Sequence, residues 1–215
     1  MVAVTCIEAV AGVAALAYLG FTVRAPSALR SLLKTAAVAF LAVAALASGA
    51  PFWLVVGLGG CALGDYCLSR SGETMFMAGV GAFAMGHLAY VALFLGDDSA
   101  VLRQIWTLPG LGLTSVLVLL GFGMAAILAP VAGQLRGPVL GYIPIILAMG
   151  LAALTLTDPA LVWVLPAALA FVASDVALAF ETFVLSPQHP LRRKLPYVVW
   201  PLYWGAQAGF YLSFS

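Results

Sequence analysis

The sequence predicts an all-α integral membrane protein, a single helical domain over residues 1–215. Three observations carry this expectation. Only 8% of the residues are charged, where a soluble domain carries about 25%. Hydrophobic residues make up 64%, with a mean hydropathy of +1.13. Apolar runs close to the roughly 20 residues needed to cross a bilayer recur along the whole chain. The same composition excludes other classes. Nine Lys and Arg spread along the sequence leave no basic footprint for nucleic acid. The partner implied at this level is the lipid bilayer.

About eight spans are expected, at 2–21, 35–49, 51–69, 74–95, 108–129, 138–156, 160–181 and 196–214. The first opens without basic residues and carries Glu8 inside its apolar stretch, so it reads as a span rather than a cleaved signal peptide. The second is short and follows Arg24, Arg30 and Lys34; the third starts at Pro51 and ends before Arg70. The fourth stops before Asp97 and Asp98, and Arg136 separates the fifth from the sixth. The seventh follows Asp158, and Arg192, Arg193 and Lys194 precede the eighth. All are apolar around their circumference, unlike surface helices. Cys6, Cys61 and Cys67 fall inside spans without metal-type spacing and read as small buried side chains. Every basic residue except Arg103 lies in an odd-numbered loop or at its edge. The positive-inside rule then places those loops in the cytoplasm and both termini outside. A multi-pass protein of the cytoplasmic membrane is expected.

Of seventeen charged residues, thirteen fall in loops or at span edges. Glu8 and Glu181 lie near span ends, whereas Asp65 and Asp175 are inside spans 3 and 7. An Asp at the centre of a span costs about 2.5–3.5 kcal/mol on insertion scales, so such a residue is a functional candidate. The two also match. Gly64-Asp65-Tyr66-Cys67-Leu68 and Ser174-Asp175-Val176-Ala177-Leu178 both read small–Asp–x–x–Leu. They lie four spans apart, which suggests a parallel four-plus-four repeat. At 1.5 Å per residue, Asp65 sits roughly 6 Å and Asp175 roughly 9 Å from the inner end of its span. Lys34, Tyr142 and Tyr203 share that inner half, and Gln207 follows Tyr203 by one turn. His87 and Tyr90 form an i, i+3 stripe on span 4, one turn beyond Phe83.

Familiar soluble-hydrolase plans lack their motifs. No Gly-x-Ser-x-Gly elbow or His-Glu-x-x-His is present. Two histidines, His87 and His189, cannot build a several-histidine zinc site, and no Gly-rich phosphate loop precedes a Lys. No metal or cofactor is expected.

Gly64-Asp65-x-x-Leu68, Phe83-x-x-Gly86-His87-x-x-Tyr90, Ser174-Asp175-x-x-Leu178-Ala179 and Tyr203-x-x-x-Gln207, in that order, resemble the motifs of the YhhN-like lysoplasmalogenase family. Lys34, and Tyr142 with Met149, fit the same pattern, whereas Ala36 departs from the proline expected soon after the Lys. The resemblance covers about residues 30 to 210. It implies a multi-pass hydrolase that cleaves the vinyl ether bond of a lysoplasmalogen, a lysophospholipid, to a fatty aldehyde and a glycerophospho-base. Protonation of the alkene carbon gives an oxocarbenium ion, to which water adds. Two carboxylates divide such work in glycoside hydrolysis. Asp175 as proton donor with Asp65 stabilising the cation is one assignment; the reverse is the other. Lys34 would hold the phosphate or pair with a carboxylate, and His87, Tyr90, Tyr142, Tyr203 and Gln207 would bind substrate or water. Paired Asp, a His and a repeat would also suit a proton-coupled transporter.

Overall fold

The computed structural model describes residues 2–215. Eight long helices follow one another: α1 (Val2–Leu19), α2 (Ala28–Ser48), α3 (Phe52–Leu68), α4 (Glu73–Leu95), α5 (Leu108–Leu128), α6 (Arg136–Leu154), α7 (Val164–Ala179) and α8 (Pro196–Phe214). Six are long and apolar enough to cross a membrane: α1, α2, α4, α5, α6 and α7, the last two extended by short turns. This is fewer than the eight spans expected. The helix α3 is apolar but only 17 residues long, and α8 carries two prolines, Gln207 and several Tyr and Trp residues.

Helix ends follow local chemistry. The side chain of Ser27 caps α2 by accepting from the Arg30 N–H at 3.2 Å. Helix α2 therefore starts at Ala28, seven residues before the expected span, and Lys34 lies inside it rather than at its opening. Charges do not end a helix whose cap and remaining residues favour it. Gly49 closes α2 in the left-handed region at φ 76°, which glycine adopts without steric cost. Thr107 caps α5, accepting from the Gly110 N–H at 3.3 Å. At its C-terminal end α7 widens into a π turn, Phe180–Val184. There Leu185 N–H donates five residues back, to the Phe180 carbonyl, at 2.9 Å.

Packing links the chain as α1–α2–α3–α4 and α5–α6–α7–α8. Helix α4 also packs on α6, and α8 on α2. Helices α3 and α4 approach closely through small residues. A Cβ on Gly64 would lie 2.5 Å from the Phe83 ring, and one on Gly86 2.7 Å from Cys61 Sγ. Such contacts replace the hydrophobic drive that is missing between helices in lipid. They bring Gly64, the neighbour of Asp65 on α3, against Phe83, one turn before His87 on α4. Large apolar side chains such as Leu16, Leu119, Phe122 and Leu212 face outward, while Asp65, His87, Ser174 and Gln207 are buried. An apolar exterior around a polar centre is the arrangement a lipid-embedded bundle requires.

Candidate active site

A cavity of about 400 Å³ occupies the half of the bundle that contains Arg30, Phe76, Val139, Glu181 and Pro196. These residues mark the ends of the helices joined by the basic loops. From there the cavity reaches inward to Leu120, Ile146, Val172 and Tyr203. Its walls are mainly aliphatic. Lys34, Asp65, Tyr142, Asp175 and Tyr203 all line it, so five candidates from five different helices meet in one space.

The two carboxylates sit in different company. Asp65, on α3, is completely buried, and its Oδ1 lies 2.9 Å from Lys34 Nζ on α2. Its Oδ2 accepts the Tyr203 hydroxyl of α8 at 2.7 Å. The ion pair satisfies a charge that would otherwise be prohibitive there. Asp175, on α7, keeps 17% of its side chain accessible. Its Oδ2 accepts the Tyr142 hydroxyl of α6 at 2.6 Å and lies 3.6 Å from His87 Nε2 of α4. Ser174 lies beside it, its hydroxyl donating to the Phe171 carbonyl at 2.8 Å.

Three candidates stand back from the cavity. His87 is fully buried and absent from the wall; it reaches the site through Tyr142 and Asp175. Tyr90 and Gln207 are fully buried too, and the Tyr90 hydroxyl donates to Gln207 Oε1. They belong to an aromatic floor in which Phe210 packs against Tyr90 at 4.6 Å and Phe94 at 5.3 Å between ring centroids. Phe171 connects that floor to His87 at 4.5 Å and to Tyr203 at 5.2 Å.

The cavity also includes residues that were assigned no site role from the sequence. Arg30 precedes Lys34 by one turn on the same face of α2 and lines the cavity. Its guanidinium donates to the carbonyls of Phe21 at 3.1 Å and Thr22 at 2.9 Å, and it lies 5.7 Å from the Tyr18 ring. Its i, i+4 spacing to Lys34 was the available signal. Glu181 reaches the wall from the π turn, a local widening that frequently marks functional sites. Among the described residues, no three of His, Cys, Asp or Glu form a metal-ligand set.

The YhhN family model matches residues 29–214, from the first turn of α2 to the end of α8. No curated protein matches the chain, and no solved structure does. The match spans seven of the eight helices, including both carboxylates of the cavity and their Lys34, His87, Tyr142 and Tyr203 partners, so the chain belongs to the YhhN family, which is the lysoplasmalogenase family.

Proposed function

We propose that this protein is a lysoplasmalogenase-like hydrolase of the cytoplasmic membrane, cleaving the vinyl ether bond of a lysophospholipid. The observation that carries this reading is the unequal environment of two carboxylates on one lipid-sized cavity. Asp65 is held as an anion by Lys34, whereas Asp175, among the described residues, has no Lys or Arg partner and is open to the cavity. That favours Asp175 as proton donor and Asp65 as the charge that stabilises the oxocarbenium ion, a division environments can impose on chemically identical groups.

In this mechanism Asp175 protonates the alkene carbon remote from the ether oxygen. Water adds to the oxocarbenium carbon and returns a proton to the carboxylate. The hemiacetal then collapses: the carbon–oxygen bond to glycerol breaks, glycerol oxygen takes a proton, and the hydroxyl proton leaves as the aldehyde forms. The protein ends with the protons it began with. Tyr142 and Tyr203 orient the two carboxylates. Lys34 is committed to Asp65, so the phosphate falls to Arg30 near the cytoplasmic end, while Leu120, Met124, Ile143 and Ile146 enclose the alkenyl chain.

We further propose eight crossings in a four-plus-four repeat, with both termini outside. The packing supports it. Each Asp takes one partner from the preceding helix of its own half and one from the last helix of the other half. The contacts of α4 with α6 and of α8 with α2 correspond in the same way.

The test is purified protein in detergent with an alkenyl lysophospholipid, following aldehyde release. Aldehyde should form, and its formation should require Asp65 and Asp175. A transporter would release none and would instead show Asp-dependent uptake into sealed vesicles.

A further inference from the structure

His87 occupies a position that defines its proton. Its Nδ1 lies 2.8 Å from the Phe83 carbonyl oxygen. A carbonyl only accepts, so Nδ1 carries the hydrogen. In a neutral imidazole Nε2 would then present a lone pair, and Nε2 lies 3.6 Å from Asp175 Oδ2 and 3.4 Å from the Tyr142 hydroxyl. The Tyr142 hydrogen is already given to Oδ2 at 2.6 Å. A bare Nε2 facing a bare carboxylate would be two acceptors with nothing between them. The arrangement is favourable when one proton belongs to the pair, as imidazolium with carboxylate or as imidazole with carboxylic acid.

We propose that His87 and Asp175 hold one proton in common, and that His87 stores the proton which Asp175 delivers. The destination of the proton rests on the hydrolase reading; the shared proton itself does not. His87 is thus a positioning residue that never touches substrate, in keeping with its complete burial and its absence from the cavity wall. Before reaction the proton moves from Nε2 to Oδ2, and from there to the alkene carbon as its π electrons form the new C–H bond. The proton lost by the adding water refills the pair. Around His87 the titratable groups are Asp175 from α7 and Tyr142 from α6. From α3, Cys61 packs against Gly86, its chain neighbour. From α8, Tyr203 packs on Phe83 and Phe171 with its hydroxyl committed to Asp65.

The chain has only two histidines, and His189 is half-buried, capping the Pro190–Arg193 turn away from the cavity wall. A His189→Gln protein labelled with ¹⁵N-histidine therefore reports His87 alone by NMR in detergent micelles. The expected result is a protonated Nδ1 at every pH, with an Nε2 titration that moves by about one pH unit or more when Asp175→Asn is added. A bare Nδ1, or a titration that Asp175→Asn leaves in place, overturns the proposal. Kinetics give a second reading that does not need the Asp175 variant. His87→Gln should lower kcat about tenfold or more, change the pH profile of kcat and leave KM within about twofold. A raised KM with unchanged kcat would make His87 a substrate contact and overturn the proposal. If wild type releases no aldehyde at all, the hydrolase reading fails while the imidazole titration still decides whether the proton is shared.

Discussion

Helices α2 and α3 with α8 frame one side of the cavity, and α6 and α7 with α4 frame the other. On both sides an Asp near the C-terminal end of a helix accepts a tyrosine hydroxyl at about the same distance, 2.7 Å for Asp65 and 2.6 Å for Asp175. The remaining partner differs. Asp65 has a lysine ammonium at 2.9 Å and no exposure; Asp175 has a histidine nitrogen at 3.6 Å and remains accessible. An ammonium only donates to a carboxylate, whereas an imidazole nitrogen can either donate to it or accept from it. Similar surroundings therefore hold the two carboxylates differently, and in the proposed mechanism the single partner that differs on each side divides their roles.

The carboxylates themselves offer the strongest way to break this comparison. Asp175→Asn should lower kcat by about 10²–10⁴-fold, the usual contribution of a positioned acid, and Asp65→Asn should also abolish most aldehyde release. If Asp65→Asn alone is inactive and Asp175→Asn keeps full turnover, the roles assigned to the two sides are wrong.

Stability should separate the sides next. Lys34→Ala leaves the buried Asp65 unpaired, at a cost of about 3–5 kcal/mol. Adding Asp65→Asn should recover much of that loss in unfolding measured in detergent. A double variant no more stable than Lys34→Ala would show that the two are not coupled.

The tyrosines sharpen the contrast. Each removed hydroxyl loses a hydrogen bond to a carboxyl group, worth about 1.5–3 kcal/mol when the acceptor is charged. Tyr203→Phe should lower unfolding stability most clearly, since its acceptor is the buried anion. Tyr142→Phe should act mainly on kcat, and the opposite partition would argue against the asymmetry. The smallest effect belongs to the Arg30 end of the cavity: Arg30→Ala should raise KM about tenfold by losing one charged contact to phosphate, with kcat nearly unchanged in steady-state assays.

Much of the site was legible because charge is scarce. In a chain with 8% charged residues, an Asp within a span conflicts with insertion energetics, which drew Asp65 and Asp175 out of the sequence. Tyr142 and Tyr203 followed from depth along their helices. Partners across helices were not legible, since periodicity gives the face of one helix and not what it meets. Lys34 therefore stayed open between phosphate and carboxylate until its pairing with Asp65 was visible. The stripe of His87 and Tyr90 on α4 runs deeper than the cavity, so Tyr90 meets Gln207 in the floor instead. Arg30 and Lys34 look like loop charges in the sequence, yet the Ser27 cap starts α2 at Ala28 and turns Arg30 to the cavity wall. The π turn that brings Glu181 to the cavity leaves no mark in an apolar run.

The most direct test of the central claim is isotopic. Wild-type protein and an alkenyl lysophospholipid are combined in D₂O, and the aldehyde is trapped and analysed by mass spectrometry. Proton delivery to carbon from the Asp175 side predicts an aldehyde carrying one deuterium on the carbon next to the carbonyl. An aldehyde formed without that deuterium, or no aldehyde, would contradict it.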